Sequence, residues 1–307
     1  MKEYKGIVVK STGSWYKVLT LEGNYYDCRI KGKFRLSGSK ATNPLTVGDR
    51  VVFHVDEKLN MAVIDRFEER RNFLVRKSTN LSKRTHVIAA NIDHCCIMAS
   101  LKEPIISSAF IDRFIVISAA HEIDPVIIIN KIDLLSEEEN EILHYYQDFY
   151  TKLGYPCFSI SAKKEVNIHH IRDFISGKTC LFAGQSGVGK STLLNKLFPE
   201  LNLKTKVISD YSGKGQHATT FYEMYPLGNH TFIIDSPGIR ELGLYDFEAF
   251  EIGLFFPEIK KVALNCRFNT CLHQNEPGCA VITAVEKGEI TEERYINYLK
   301  ILDDFNV

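Results

Sequence analysis

The sequence predicts a chain of three parts: an N-terminal OB-fold β-barrel, a central P-loop domain with a parallel sheet, and a helical C-terminal metal-binding module. Three observations support this prediction. Five β-rich segments fill the first 70 residues, strands then alternate with helices, and Cys and His cluster in the last sixty or so residues. A length of 307 residues suits two or three domains. We place the domains at residues 1–70, 71–243 and 244–307.

The composition indicates a folded, water-soluble protein. The chain has 38 Lys and Arg, 38 Asp and Glu, and 45% hydrophobic residues, which argues against a disordered or fibrous protein. No apolar run reaches the ~18 residues of a membrane-spanning helix, and the N-terminus has no apolar segment of signal-peptide length. We therefore expect a cytoplasmic protein without a membrane partner, whose eight Cys are reduced or bind metal.

The net charge of zero hides an asymmetry along the chain. The first 91 residues contain 18 Lys and Arg against 9 Asp and Glu, whereas the remainder contains 20 against 29. A basic end favours a polyanionic partner, and nucleic acid is the first candidate. The alternative is that these charges are only solvated side chains on a small β domain.

The predicted barrel consists of short β-rich segments separated mostly by polar, Gly-containing turns. They cover residues 6–10, 15–21, 25–30, 50–55 and 62–67. Five strands fit an OB-fold, which has a nucleic-acid-binding face, although an SH3-like barrel remains possible. Basic residues in one barrel loop and the following linker are candidates for RNA contacts: Lys31, Lys33, Arg35, Lys40, Arg76, Lys77, Lys83 and Arg84. Four aromatic residues either stack on bases or fill the barrel: Trp15, Tyr16, Tyr25 and Tyr26.

The middle of the chain has the alternation of a parallel α/β sheet. A β-rich run at residues 86–100 is followed by a helical segment at 110–120 and a strand at 125–129. Ser136 and Glu139 then form the pattern of a capping box, and Gly154 ends the helix that they begin.

A phosphate-binding loop is the most specific motif. The pattern G-x-x-x-x-G-K-[ST] follows an apolar strand at residues 179–183 and precedes a helix, the context that the motif requires. Backbone amides and the positive end of the helix favour phosphate oxygens, Lys190 would contact the β- and γ-phosphates, and Ser191 would bind Mg²⁺. The alternative is a Gly-rich turn without a ligand. The loop and the next residue are Gly184, Gln185, Ser186, Gly187, Val188, Gly189, Lys190, Ser191 and Thr192.

Two further motifs predict that the base is guanine. Asn130, Lys131, Ile132 and Asp133 follow one strand, and Ser161, Ala162 and Lys163 follow another. The Asp133 carboxylate accepts from two parallel donors, which guanine offers in its ring NH and exocyclic amine and adenine does not. Asn130 would orient the loop, and the Lys131 stem would lie along the purine. Alone, each motif is also compatible with a polar turn before a helix.

The remaining catalytic candidates lie on either side of another apolar strand. Asp235, with Gly238 three residues later, closes this strand and suits the acidic residue that holds Mg²⁺. The polar segment at residues 204–220 suits a nucleotide switch, in which Thr219 or Thr220 would complete the Mg²⁺ ligands. The alternative is a plain surface connection.

The guanine motif precedes the phosphate loop, so the domain is circularly permuted. On these motifs the chain resembles the bacterial ribosome small subunit-dependent GTPase A family. The family implies a low-turnover GTPase, stimulated by the small subunit, that acts in late small-subunit maturation. It further implies GTP or GDP, Mg²⁺ and one structural Zn²⁺ as cofactors, with the small subunit and its rRNA as partners; we expect a monomer.

The nucleophilic water needs an orienting group that the sequence does not place in the usual position. Many GTPases have Gln after the motif that ends at Gly238, but this chain has Ile239, which cannot hydrogen-bond water. His217, which the resemblance also favours, is the nearest candidate, and a group supplied by the partner is the alternative. We therefore expect slow intrinsic turnover.

The Cys and His cluster has the composition of a structural zinc site. Cys266, Cys271, His273 and Cys279 offer three thiolates and one imidazole in a loop-rich segment, which makes a closed tetrahedral shell. The other five Cys fall in predicted strands and are expected to be buried apolar residues: Cys28, Cys95, Cys96, Cys157 and Cys180.

Two other function classes remain open at this point. One is a nucleotide-gated RNA-binding adaptor that is not dedicated to the ribosome. The other is a metabolic P-loop kinase, which the guanine motifs disfavour.

Overall fold

The computed structural model describes residues 2–30, 44–56, 61–77, 85–203, 223–235, 244 and 247–306. The chain divides into two compact units. The first unit consists of Met1–Cys96 and Ile168–Gly243, and the second of Ile97–Asn167 and Leu244–Val307. Each unit is therefore built from two separate stretches of sequence.

A five-stranded barrel opens the first unit, which confirms the predicted fold of this region. Its strands are β1 Glu3–Ser11, β2 Tyr16–Thr20, β3 Tyr25–Ile30, β4 Arg50–Asp56 and β5 Met61–Phe67. Strand β1 pairs antiparallel with both β2 and β4, β2 pairs with β3, and β4 pairs with β5. The parallel pairing of β3 with β5 closes an OB-like barrel. Alternate residues such as Val8, Val18 and Phe53 fill its core.

The β-rich run at residues 86–100 contains two strands. Strand β6 Phe73–Lys77 forms a hairpin with β7 Thr85–Ala90, and β8 His94–Ser100 is separate. Asn91 adopts a left-handed φ of 56°, which breaks the extended backbone between β7 and β8. The side chain of buried Asn72 exchanges two hydrogen bonds with the Ile92 backbone and holds this break.

The rest of the first unit contains β11 Thr179–Gly184, β12 Glu223–Leu227 and β13 Thr231–Asp235, with helices α3 Ile168–Ile175 and α4 Lys190–Leu197. Strand β11 is parallel to β13, and β13 is antiparallel to β12. Strand β12 pairs with barrel strand β1, so the sheet continues into the barrel within this unit.

The second unit combines a half of the α/β domain with the C-terminal segment. It contains α1 Ser108–Ala120, β9 Asp124–Asn130, α2 Glu137–Lys152 and β10 Cys157–Ser159, and β9 lies between β8 and β10 in the sheet. Its C-terminal helices are α5 Pro257–Ala263, α6 Ala280–Glu286 and α7 Glu292–Asn306. The capping box of α2 is confirmed: Ser136 Oγ accepts from the Glu139 amide, and a Glu139 carboxylate oxygen accepts from the Ser136 amide.

The C-terminal helices pack directly on α1. Val116 of α1 shares a hydrophobic core with Phe256 and Tyr298. Beside this core, Arg294 of α7 is 1% exposed and forms ion pairs with Asp112 of α1 and Glu258 of α5. The C-terminal module therefore belongs to the same compact unit as the predicted guanine motif.

Among the described residues, no helix is both long and apolar enough to cross a membrane.

Candidate functional site

The predicted phosphate loop connects β11 to α4 in the first unit. Residues Cys180, Leu181 and Phe182 of β11 are fully buried, as expected for a parallel strand covered on both faces. Gly187 and Gly189 have φ values of 82° and 98°, a conformation that glycine adopts without the steric cost of a Cβ. Helix α4 begins at Lys190, so the loop ends at a helix N-terminus, where backbone amides lack helical partners.

Further contacts fix the loop and the strand that leads into it. The Val188 side chain is fully buried and its amide donates to the Gln185 carbonyl at 3.2 Å. At the start of β11, Thr179 and Asp93 exchange two hydrogen bonds of 2.8 Å. The strand, turn and helix thus supply the local geometry that phosphate binding needs, with Lys190 and Ser191 in the first turn of α4.

The structure brings the two guanine motifs together in the second unit. Asn130 ends β9 and is 3% exposed, and its side-chain oxygen accepts a 2.9 Å hydrogen bond from the Ala162 amide. The Ile132 amide donates to the Ile160 carbonyl at 3.2 Å. Since Ala162 lies in the Ser-Ala-Lys motif, Asn130 joins the two loops that were predicted to read the base.

The acidic residue of the motif is oriented by a buried hydroxyl. Asp133 lies in a short 3₁₀ turn, Ile132–Leu134, and its side chain is exposed. The Ser161 hydroxyl, itself fully buried, donates to Asp133 Oδ1 at 2.5 Å. Ser161 Oγ also accepts from the Lys164 amide at 3.0 Å, so the hydroxyl is held from both sides. The sequence motifs predicted both loops but not this side-chain contact.

The other nucleotide candidates lie outside the described residues: His217, Thr219, Thr220 and Gly238. Asp235 is described in its backbone, which ends β13 opposite Phe182 of β11. The ends of these parallel strands share one sheet edge, where α/β proteins bind ligands.

Four predicted metal ligands converge in the second unit. One ligand atom from each of Cys266, Cys271, His273 and Cys279 lies within 4.8 Å of the others. His273 Nδ1 lies 3.4 Å from the Cys279 sulfur and 3.6 Å from the Cys266 sulfur. Three thiols and one imidazole at these separations fit a tetrahedral structural Zn²⁺ ion.

Burial shifts the pKa values of two groups in the cluster. Burial lowers the pKa of His273, which keeps its imidazole neutral and a ligand-ready lone pair on the ring. Burial and neighbouring thiols raise the pKa of Cys271 to about 12. A bound cation would reverse that effect, because it stabilises the thiolate.

Backbone contacts around the cluster were not evident from the sequence. The Glu276 carboxylate accepts hydrogen bonds from the amides of Leu272, Gln274 and Asn275 at 2.7, 2.8 and 3.1 Å. The Tyr295 hydroxyl of α7 donates to the His273 carbonyl at 2.6 Å. These contacts shape the loop that carries three of the four ligands.

The structure shows which of the four aromatic residues of the barrel fill its core and which are exposed on the outer face of β2 and β3. Tyr16 is buried in the barrel core and Tyr26 packs against it. Trp15 is 40% exposed, with the Arg29 guanidinium 4.0 Å from its ring centroid. Tyr25 is 53% exposed, with the Lys17 ammonium 5.5 Å from its ring centroid. The barrel therefore presents two aromatic rings paired with cations, which we call the β2–β3 face.

The predicted basic RNA contacts are not covered by the structure. Six of them lie outside the described residues: Lys31, Lys33, Arg35, Lys40, Lys83 and Arg84. Arg76 and Lys77 lie in β6, and only the backbone of these two residues is described.

Four of the five other Cys residues are buried as predicted: Cys28, Cys95, Cys96 and Cys180. The fifth, Cys157, is only half-buried, because it begins the edge strand β10.

Comparison with known proteins supports the same interpretation along nearly the whole chain. Residues 67–245 match the family model described as RsgA GTPase, and residues 5–64 match the RsgA N-terminal domain. A protein of Bacteroides fragilis named "Small ribosomal subunit biogenesis GTPase RsgA" is 47% identical over 98% of this chain and 96% of its own length. A protein of the same name from Flavobacterium johnsoniae is 47% identical over 97% and 92%.

Two solved structures share the fold. YjeQ from Thermotoga maritima has a TM-score of 0.81 and 32% identity, and each chain is covered to 99%. YloQ, described as a circularly permuted GTPase, has a TM-score of 0.76 and 30% identity, with 99% of this chain and 96% of its own covered. With the permuted motif order and the contacts above, these matches show that the chain is a circularly permuted GTPase of the RsgA family.

Proposed function

We propose that this GTPase acts in late maturation of the small ribosomal subunit, binds it through rRNA as a monomer in the cytoplasm, and is stimulated by it. The names of the relatives, which describe small ribosomal subunit biogenesis, support the subunit as partner. The observation that carries the nucleotide part is the contact of Asp133 with Ser161, because a buried hydroxyl fixes the orientation of the exposed carboxylate that is proposed to read guanine.

The nucleotide-binding residues divide between two loops and a strand end. Asn130 and Asp133 position the base-reading loop, with Ala162 and Lys163 beside them. The amides from Gly184 to Thr192 surround the phosphates. GTP or GDP and Mg²⁺ are the cofactors that a GTPase requires, and Ser191, Asp235 and Thr219 or Thr220 are the proposed Mg²⁺ ligands.

Catalysis depends on a group that orients the attacking water. Since Ile239 follows the Asp-Ser-Pro-Gly motif, His217 or a group from the subunit takes this role. Lys190 stabilises charge on the transferred phosphoryl oxygens. If binding of the subunit completes the set of catalytic groups, GTP hydrolysis is slow in the absence of the subunit.

Cys266, Cys271, His273 and Cys279 hold one structural Zn²⁺ ion. Four protein ligands leave no position for a reacting water, so the ion stabilises the loop between α5 and α6.

The β2–β3 face supplies part of the RNA contact. Base stacking on Trp15 and Tyr25 would add about 1–3 kcal/mol per base without reading sequence. Lys17 and Arg29 place positive charge at the same rings, which suits a backbone rich in phosphate.

GTP turnover by the purified protein, with and without small subunits, tests the function. We expect strong stimulation, its loss in Lys190→Ala, and a shift toward xanthosine triphosphate in Asp133→Asn, whose amide complements xanthine. Tight RNA binding without any stimulation by subunits would overturn the proposal and favour the RNA-binding adaptor, which the names of the relatives do not favour.

Binding to small subunits over a range of salt tests the β2–β3 face. We expect Trp15→Ala to weaken binding about tenfold and Trp15→Phe to retain most of it, because a ring remains for stacking. Equal affinity of Trp15→Ala and the wild type would remove this face from the RNA contact.

A further inference from the structure

A short loop after β8 contacts the guanine motif at Lys131 and the N-terminus of the following helix, α2, at Glu139. It consists of residues 101–104, which we call the bracing loop, and it lies in the second unit. Buried Ser100 shapes it: its hydroxyl donates to the Lys102 carbonyl at 2.6 Å and accepts from the Lys102 amide at 3.2 Å. The Ile106 amide closes the turn by donating to the Ser100 carbonyl at 2.8 Å.

The first contact is made at Lys131, at the N-terminal end of the turn Ile132–Leu134 that carries Asp133. The Lys131 ammonium donates to the Glu103 carbonyl. Lys131 has a φ of 68°, an uncommon conformation for a residue with a Cβ. Because this hydrogen bond fixes the end of a long side chain, it restricts the side-chain conformation of Lys131 in addition to its backbone.

The second contact is made at the N-terminal cap of α2, which follows the turn that carries Asp133. The Lys102 ammonium lies 3.0 Å from Glu139 Oε2, and the same oxygen accepts from the Ser136 amide at 2.8 Å. Hydrogen bonds from Ser136 and from Lys102 lower the pKa of Glu139, which keeps the carboxylate charged at neutral pH. Lys102 is thereby tied to the cap of the helix that follows Asp133.

Asp133 lies between these two contacts and is held from a third side by Ser161. Its carboxylate distinguishes guanine only if both acceptor directions match the two donors of the base. A rotation of the turn would weaken the bond to the exocyclic amine, even if the purine still bound. The bracing loop is positioned to prevent that rotation.

We propose that Lys102, with Glu139, is a positioning pair for guanine specificity: it holds the turn that carries Asp133 without contacting the nucleotide. This inference rests on the proposed nucleotide site. It adds a specificity determinant outside the Asn-Lys-x-Asp and Ser-Ala-Lys motifs.

Equilibrium binding of GDP and inosine diphosphate to the full-length protein tests the pair. Inosine diphosphate lacks the exocyclic amine, so the ratio of the two affinities measures the bond that the pair is proposed to protect. For Lys102→Met we expect GDP affinity to fall about three- to tenfold, in the range of one charge-assisted hydrogen bond. Inosine diphosphate affinity should fall less, so that discrimination decreases.

Three further variants separate positioning from stability. Glu139→Gln keeps an oxygen for the helix cap but removes the charge, and it should reproduce Lys102→Met. Lys102→Arg retains a cation and should restore discrimination. Arg113→Met removes an ion pair with Asp304 in the same unit, from a side chain that is also 37% exposed, and should leave both affinities unchanged.

The outcomes distinguish the inference from the function on which it rests. If the wild-type protein does not prefer GDP to inosine diphosphate, the proposed guanine site fails. If the wild type does prefer GDP but Lys102→Met discriminates as well as Arg113→Met, only the positioning role fails. Equal losses for both nucleotides in Lys102→Met would also overturn it, because they indicate general loosening.

Discussion

Replacing Arg294 by Met should destabilise the second unit strongly, although the change preserves most of the apolar stem. Arg294 is 1% exposed and pairs with Asp112, which is also 1% exposed, and with Glu258 at 2.5 Å. Its guanidinium additionally lies 4.5 Å from the Phe256 ring centroid. Methionine can keep the ring contact, but it leaves two carboxylates without a cation.

The expected cost comes from those two carboxylates. Removing one partner of a buried ion pair costs about 3–5 kcal/mol. Asp112 keeps hydrogen bonds from Tyr150 at 2.9 Å and from Asn297 at 2.7 Å, which offset part of this cost. We therefore expect a loss of about 3 kcal/mol in the free energy of unfolding at neutral pH.

Two spectroscopic signals separate the units in urea unfolding. Trp15 is the only tryptophan of the chain, so its fluorescence reports the barrel. Circular dichroism near 222 nm reports mainly helices, and most described helices, including α1, α2 and α7, lie in the second unit. Arg294→Met should lower the midpoint of the dichroism transition and leave the fluorescence transition near its wild-type position.

The loss of stability caused by Arg294→Met should also depend on pH. Burial raises the pKa of Asp112 even with Arg294 present, and removing the cation raises it further. A carboxyl whose pKa is raised on folding is stabilising below its unfolded pKa, and this stabilisation is lost as pH rises through the folded pKa. The difference in stability between variant and wild type should therefore be smallest at acid pH, where Asp112 is protonated in both proteins, and should grow as pH rises.

A compensating substitution and a control complete the test. Arg294→Met with Asp112→Asn should recover part of the loss, because one buried charge is removed. Arg113→Met, at an exposed ion pair, should cost less than about 1 kcal/mol. A loss below about 1 kcal/mol for Arg294→Met, without pH dependence, would refute the reasoning.

Three other perturbations have defined outcomes. Cys271→Ser should weaken Zn²⁺ binding by at least about tenfold, as measured by competition with a chromogenic chelator. A zinc content equal to that of the wild type after dialysis against chelator would contradict this prediction. Three backbone hydrogen bonds to the Glu276 carboxylate outweigh burial and lower its pKa, so the carboxylate stabilises the folded unit above its unfolded pKa of about 4.3, and this stabilisation is lost as pH falls. Glu276→Gln should therefore make the stability of the second unit, measured by dichroism, less dependent on pH on the acid side. An unchanged pH dependence would count against this role of Glu276. Gly48→Ala should destabilise the first unit by more than about 3 kcal/mol, measured by Trp15 fluorescence in urea. Gly48 has a φ of +88°, and a Cβ added there would lie 2.0 Å from the Ala90 carbonyl oxygen. An unfolding midpoint equal to that of the wild type would show that the structure relaxes to avoid this contact.

Features with short-range sequence signals were predictable. Ser136 and Glu139 lie three residues apart, and their capping box follows from local backbone geometry. The barrel strands follow from the alternation of apolar and polar residues. The four metal ligands fall within 14 residues, so their convergence needed little knowledge of the fold.

Features that depend on distant pairing were not predictable. Asp112 and Arg294 are 182 positions apart, and neither residue type indicates burial without its partner. The same holds for Lys102 and Glu139, which only the fold of the second unit brings together. The break at Asn91 was missed because its neighbours on both sides have the composition of strands.

The division of the second unit between residues 97–167 and 244–307 has a consequence for synthesis of the chain. A nascent chain that has reached residue 167 has made Asp112 but not Arg294, Phe256 or the metal ligands. Helices α1 and α2 pack on strands of the same half, but Asp112 and Val116 of α1 find their remaining partners only in the C-terminal segment. The packing of this half is therefore complete only when almost the entire polypeptide has emerged. We therefore expect ribosome-bound intermediates to expose the guanine-motif half to proteases until translation is nearly complete, whereas the barrel can fold early.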